Sequence, residues 1–265
     1  MLKQILKTLD RKILKKGVSR NILKHQQTIM RQKLKRENFH TFEVFYTKNQ
    51  KNPLAELFDI YGSDKGSNKG TGHVFEWDPH SYSDIYSLLF ESKRLKIRRV
   101  FECGIGTNNP QFPSSMGEKG KPGASLRAWR DYFPNSEIFG ADIDKSILFS
   151  EQRIRTGYVN QLNQKSIETF LKEFELNDID IVIDDGLHTF EAAISLFECV
   201  SQKLAHNGIY VIEDIHPIEI GKFITYFKKK NIRVNYVIFK SNSKIPLGSL
   251  IWIHGSDTKT YQYSH

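Results

Sequence analysis

The sequence predicts an α/β fold: a doubly wound, mostly parallel sheet of seven strands, ending on an antiparallel strand and preceded by an N-terminal helical arm. From about residue 98, short β-rich runs alternate with helical patterns, and parallel strands need the crossovers that such helices supply. Ile179–Asp184 (IDIVID) is a nearly continuous apolar run, as a strand buried on both faces requires. Val234–Phe239 and Leu250–His254, separated by a polar loop with Pro246 and Gly248, read as an antiparallel hairpin.

In chain order, residues 1–40 form a basic amphipathic arm, with Leu2, Ile5, Leu6, Leu9, Ile13 and Leu14 at helical spacing among lysines and arginines. Residues 41–96 are a lead-in or lid segment, with a Gly/Ser/Lys-rich loop at 61–72 and a helix near Asp84–Ser92. The main domain spans 97–265. Its first strand is Arg98–Cys103, ending in Gly104-Ile105-Gly106, and Ser125–Tyr132 is helical. Pro134-Asn135-Ser136 turns the chain into a second strand, Glu137–Asp142, followed by a helix from about Lys145 to Arg155. Tyr158-Val159-Asn160 is a short third strand, Gln164–Glu175 a helix, and Ile179–Asp184 the fourth strand. A helix from Phe190 to Leu204 and a turn at His206-Asn207-Gly208 lead into a fifth strand, Ile209–Ile212.

Charge distribution excludes a simple polyanion-binding reading. The arm carries 12 Lys or Arg against 2 acids, a net of +10, which leaves 27 basic and 28 acidic residues elsewhere, a net of −1. The body is therefore neutral, and no nucleic-acid partner is expected. The arm suits peripheral contact with an anionic membrane face or contact with a second subunit. No apolar run is long enough for a signal-peptide core or a spanning helix, and Cys103 and Cys199 read as buried free thiols, so a cytoplasmic location is expected.

Three constellations carry chemistry. Gly104 and Gly106 close the first strand and let the backbone approach a ligand beyond the carboxyl end of the sheet, but no third glycine completes a dinucleotide fingerprint. Asp142, favoured over Asp144, ends the second strand where a carboxylate can accept both ribose hydroxyls; NAD and S-adenosylmethionine satisfy it equally. Asp184 and Asp185 end the fourth strand, His188 follows, and Glu213-Asp214 ends the fifth. Adjacent strands lie ~4.8 Å apart, so these acids converge and need a cation among them. Oxygen ligands favour Mg²⁺, Mn²⁺ or Ca²⁺ over zinc, while one of the paired aspartates could instead cap the next helix.

Taken as an ordered series, Tyr61-Gly-Ser-Asp-Lys65-Gly66, His80-Ser-Tyr82, Glu102-Cys-Gly-Ile-Gly106, Ser125-Leu-Arg-Ala-Trp129, Ile183-Asp-Asp-Gly-Leu-His188 and Ile212-Glu-Asp-Ile-His216 resemble a known family. These are the metal-dependent sugar O-methyltransferases of macrolide antibiotic biosynthesis, the mycinamicin type, which have a Rossmann-like class I methyltransferase fold. The resemblance covers about residues 57–216. It implies S-adenosylmethionine and Mg²⁺ or Mn²⁺ as cofactors, with Asp185, Glu213 and Asp214 holding the metal and His188 as general base. It also implies that Glu102, Gly104, Gly106 and Asp142 contact S-adenosylmethionine, that Ser125 flanks it, and that Tyr61, Ser63 and Lys65 close over its methionine end. Gln161 and Asn163 fall on the adenine side, and Asp184 supports the cofactor face. The chain departs from the family where Asn160-Gln161-Leu162-Asn163 replaces Asp-Gln-x-Asp and where Leu187 replaces a frequent Ser.

The reaction so implied is methyl transfer to a hydroxyl of a small-molecule or nucleotide-linked sugar, in surface polysaccharide or glycosylated metabolite biosynthesis. The alternative acceptor is a phosphate or phosphoramidate oxygen on a glycan or nucleotide precursor. An RNA-modifying protein and a nicotinamide-dependent oxidoreductase are the remaining readings, disfavoured by the neutral body and the missing glycine.

Overall fold

The computed structural model describes residues 51–67, 75, 77–216, 219–240 and 246–259, together with Thr28 and Gln32. The arm's apolar and basic positions and residues 68–72 of the Gly/Ser/Lys-rich loop lie outside the described residues. Two helices precede the sheet, α1 (Pro53–Tyr61) and α2 (Tyr82–Phe90). The chain then runs β1 (Arg99–Cys103), α3 (Ala124–Tyr132), β2 (Glu137–Asp142), β3 (Ser150–Glu151), β4 (Ile154–Tyr158) and α4 (Gln164–Glu173). It continues through β5 (Ile179–Asp184), α5 (Phe190–Val200), β6 (Leu204–Glu213), α6 (Ile220–Lys229), β7 (Asn235–Lys240), β8 (Pro246–His254) and α7 (Gly255–Lys259).

These strands form one eight-stranded sheet in the order β3-β4-β2-β1-β5-β6-β8-β7. The five from β4 to β6 are parallel, while β3, β8 and β7 pair antiparallel. Strand alternation divides the core in two. Phe101, Val182 and Tyr210 face α4, α5 and α6, packing on Phe170, Phe197 and Phe227. Val100, Ile181, Ile183 and Val211 face α1, α2 and α3, packing on Phe58, Tyr86 and Trp129. Each fully buried side chain of this size contributes about 1.5–3 kcal/mol from removal of apolar surface, so both faces hold the sheet rigid. The first two helices are thus built into the same core as the sheet, with Asn52 capping α1 by accepting from the amides of Leu54 and Ala55 at 3.1 and 3.2 Å.

Register fixes where the site lies. Cys103 pairs with Asp184, and Asp184 with Ile212, so β1, β5 and β6 end on one line. The residues just beyond them are Gly104, Asp185 and Glu213-Asp214.

The expected seven strands become eight because the helix expected over Lys145–Arg155 does not form. Asp144 accepts from the Ser146 amide and hydroxyl at 2.9 and 2.6 Å and holds only a short 3₁₀ turn at Lys145–Ile147. The chain then reverses through Arg153, at φ 61°, into the β3–β4 hairpin. The third strand accordingly lies at Ile154–Tyr158, earlier than Tyr158-Val159-Asn160. Similarly, α5 ends at Val200, and Leu204 already belongs to β6. His206-Asn207-Gly208 sits inside β6, where the register against β5 shifts between Ile179 and Ile181. Helices α1, α6 and α7 had no counterpart in the sequence reading. Among the described residues, no helix is long and apolar enough to cross a membrane.

Candidate active site

At the carboxyl end of the sheet, Asp185, His188 and Asp214 each offer a ligand atom, all within 4.8 Å of one another. The backbone is bent to bring them there. His188 and Asp214 both adopt left-handed conformations, at φ 54° and 52°, a strained state that costs of order 1–3 kcal/mol at a non-glycine residue. His188 Nε2 faces Asp185 Oδ1 at 3.8 Å, while its Nδ1 is buried without a hydrogen-bond partner. Asp214 Oδ1 accepts from the Tyr82 hydroxyl at 2.5 Å and lies 3.7 Å from His80 Nδ1. Tyr82 in turn accepts from the Ser249 amide at 3.2 Å, tying β8 to the site.

Glu213 is turned away from this group. One carboxylate oxygen accepts from the Tyr86 hydroxyl and the other from Lys65 Nζ at 2.6 Å. Lys65 is the centre of the arrangement: its ammonium lies 2.5 Å from Asp185 Oδ2 and 3.6 Å from Glu102 Oε1, with a side chain only 2% exposed. Burial opposes its charge, but Asp185, Glu213 and Glu102 outweigh that cost and raise its pKa well above the ordinary value. Burial likewise raises Asp185 and Glu213, with Lys65 acting against it. Burial acts in the same sense on Asp214, yet the facing His80 and His188 and the Tyr82 hydroxyl hold it at about 2. Asp214 conversely raises His80, against desolvation.

Of the residues expected on the cofactor side, Glu102 and Asp184 are buried near these acids, while the others are held as follows. Glu102 is fully buried, accepting from Ser125 Oγ at 2.8 Å and Trp129 Nε1 at 2.7 Å, and burial pushes it up to about 7. Asp142 accepts from the amides of Ile105 and Asp144, both at 2.9 Å, and so pins the Gly104–Gly106 turn to the end of β2. Asp144 anchors the same loop by accepting from Thr107 Oγ1 at 2.5 Å. Gln161 donates to Asp184 Oδ1 at 2.5 Å and accepts from the Leu187 amide at 2.8 Å, bracing the turn that carries Asp185 and His188. Asn163 caps α4. Ser63 sits in the turn before Lys65, accepting from its amide at 3.4 Å. Tyr61 is drawn elsewhere, with its hydroxyl on Asp131 at 2.5 Å and Arg130 at 3.2 Å. Trp77 packs on Phe75 and donates to Asp64 at 2.8 Å.

His80, Tyr82 and Tyr86 reach the acids without having been assigned a role from sequence. The available signal was the i, i+4 spacing of Tyr82 and Tyr86, which puts both on one face of α2; a helix begun at Asp84 misses the first of them.

The donor set suits a hard divalent cation. Two carboxylate oxygens, from Asp185 and Asp214, converge beside the His188 imidazole, and three acids (Glu102, Asp185 and Glu213) surround the Lys65 ammonium. The family of methyltransferase domains matches residues 66–215, more than half of the chain and all of the strands that build this site except β8. The chain belongs to that family. Among curated relatives, the 8-demethyl-8-alpha-L-rhamnosyl tetracenomycin-C 2'-O-methyltransferase of Streptomyces olivaceus is 30% identical over 162 residues, covering 61% of this chain and 37% of that protein. The mycinamicin VI 2''-O-methyltransferase of Micromonospora griseorubida is 30% identical over 168 residues, covering 63% and 37%. The chain thus spans under two fifths of the length of these relatives. A methyltransferase of the mycinamycin biosynthetic pathway, solved in complex with Mg, SAH and mycinamycin VI, superposes with a TM-score of 0.56 at 24% identity, covering 79% of this chain and 56% of that one. That likeness establishes the Rossmann-like methyltransferase fold expected from the sequence.

Proposed function

We propose that this methyltransferase uses S-adenosylmethionine and a divalent metal to methylate a sugar hydroxyl, in surface polysaccharide or glycosylated metabolite biosynthesis. The observation that carries the reading is the convergence of Asp185, Asp214 and His188 beyond β5 and β6, one strand from the Gly104 turn. The names of the curated relatives support the acceptor class, since two of them are O-methyltransferases of a rhamnosyl tetracenomycin-C and of an L-olivosyl-oleandolide. The bound Mg and SAH of the mycinamycin-pathway structure support the cofactors.

When bound, S-adenosylmethionine supplies an electrophilic methyl group and Mg²⁺ or Mn²⁺ supplies Lewis acidity that lowers a hydroxyl's pKa. Asp185 and Asp214 would hold the metal. Glu213, both of whose oxygens are engaged by Tyr86 and Lys65, supports them from behind. His188 accepts the hydroxyl proton at Nε2, the nitrogen that faces the acids, which places the proton of the neutral ring on Nδ1. Gly104, Gly106 and Asp142 form the cofactor face within the 97–265 domain, with Asp142 shaping the loop through Ile105. From the 41–96 segment, Lys65, His80, Tyr82 and Tyr86 close the acid side of the site.

The test is transfer of a labelled methyl group from S-adenosylmethionine to a panel of sugar and phosphorylated acceptors, with Mg²⁺ or with excess EDTA. Asp185→Asn and Asp214→Asn lose turnover by ~100-fold or more, while S-adenosylhomocysteine binding measured by calorimetry survives. Full activity in EDTA overturns the metal assignment, and transfer confined to phosphorylated acceptors overturns the sugar-hydroxyl one.

A further inference from the structure

Lys65 is the one feature of the site that a metal-dependent enzyme does not obviously need. Its ammonium comes from the loop between α1 and α2, is 2% exposed, and bridges Asp185 Oδ2 and Glu213 Oε2 at 2.5 and 2.6 Å. Glu102 Oε1 lies 3.6 Å away. Three carboxylates carried by β1, β6 and the turn after β5 are therefore already gathered around a cation that the chain itself provides.

The two oxygens of Asp185 are divided by this contact. Oδ2 is held by Lys65, while Oδ1 faces His188 Nε2 in the group that could hold an ion. Glu213, the neighbouring acid on β6, is withheld from that group by the same ammonium and by Tyr86. A divalent ion binding at Asp185 and Asp214 meets a carboxylate whose charge is half spent, with a fixed positive charge just behind it. Like charges in a poorly solvated site repel strongly.

We propose that Lys65 is a positioning residue that acts as an internal competitor for the divalent ion: it holds Asp185 and Glu213 in place when no metal is bound and sets the metal affinity by opposing it. The inference rests on the metal reading given above. It makes ammonium and metal partly interchangeable. A purely structural lysine leads to the opposite expectation, since losing it would scatter the ligands and weaken metal binding.

The experiment titrates Mn²⁺ into wild type, Lys65→Met and Lys65→Arg, reading free Mn²⁺ by electron paramagnetic resonance and melting temperature with and without Mn²⁺. For K65M the expected result is Mn²⁺ binding tightened ~10-fold or more. Its metal-free melting temperature falls, and Mn²⁺ restores more of it than the ion adds to wild type. K65R, which keeps the charge, binds like wild type. Binding by K65M that equals or falls below that of wild type overturns the proposal while leaving the metal reading intact. No binding by either protein overturns both. Binding by K65M alone supports the proposal and removes the metal from the native enzyme. If K65M does not fold, Lys65→Gln is read in its place. Failure of both to fold even with Mn²⁺ present also overturns the proposal, because a divalent ion should balance the same acids.

Discussion

Gly104→Ala tests how tightly the turn after β1 is packed against the turn after β5. Gly104 has φ 90°, and a Cβ there would lie 2.2 Å from the Asp185 carbonyl oxygen and 2.5 Å from its carbonyl carbon. Both are backbone atoms, so no side chain can swing aside. A side chain in this region of φ costs about 1–2 kcal/mol, and forcing an extra carbon into a packed interior adds about 1–3 kcal/mol. Gly117 supplies the control: it has φ 82° with no atom within 4 Å of its Cβ position, so Gly117→Ala carries the first cost alone. At a few degrees per kcal/mol for a chain of this size, G104A should melt about 10 °C below wild type and G117A about 4 °C below. The Asp185 amide donates to the Cys103 carbonyl at 2.8 Å, and the new methyl group pushes directly on that connection. G104A should therefore also weaken Mn²⁺ binding, which G117A should leave unchanged. Differential scanning calorimetry of the two variants decides it. Melting temperatures within about 2 °C of each other would refute the close approach of the two turns.

Two further predictions concern Glu102. Trp129→Phe keeps a six-membered aromatic ring but removes the Nε1–H that Glu102 Oε2 accepts at 2.7 Å together with part of the buried ring volume; urea unfolding should show a loss of about 2 kcal/mol or more, and a loss under about 0.5 would mean that water replaces the indole. Glu102→Gln should flatten the pH dependence of stability. Burial raises this carboxyl from 4.5 to about 7, so its contribution to stability is complete below the unfolded value and is lost as pH rises through about 7. The loss amounts to about 3 kcal/mol, and in metal-free protein E102Q should gain that much on wild type between pH 4.5 and 8. Parallel stability profiles for the two proteins would rule out the shift.

The parallel part of the fold is legible because its signals are local and strong. The apolar run 179–184 and the glycines after Cys103 each need only a few residues to declare themselves, and both lie where expected. The Lys145–Arg155 segment misleads because Ile147, Leu148 and Phe149 supply apolar residues that a helical period can absorb. What decides against the helix is the Asp144–Ser146 cap together with the Thr156 hydroxyl, which the Phe149 amide reaches at 2.5 Å, and those contacts exist only after folding. In the site, acids at strand ends are visible as a pattern. The choice among them is not: Glu213 and Asp214 are neighbours in sequence, and only a lysine 148 residues away from Glu213 draws one of them out of the group. Tyr86 meets Glu213 across 127 residues and His80 meets Asp214 across a similar separation; helical spacing puts Tyr86 on its face but specifies neither pairing.

The order of strands bears on how the chain is made. Because β8 lies between β6 and β7, strand β7 leaves the ribosome with no partner beside it, and β6 keeps an open edge until residues up to His254 have emerged. That same late strand brings the Ser249 amide to Tyr82, 167 residues earlier, and with it the clamp on Asp214. A nascent or truncated chain can therefore bury most of its core and still present an aggregation-prone edge. Strand β8 thus has two tasks, covering the β6 edge and bringing Ser249 to the Tyr82–Asp214 pair.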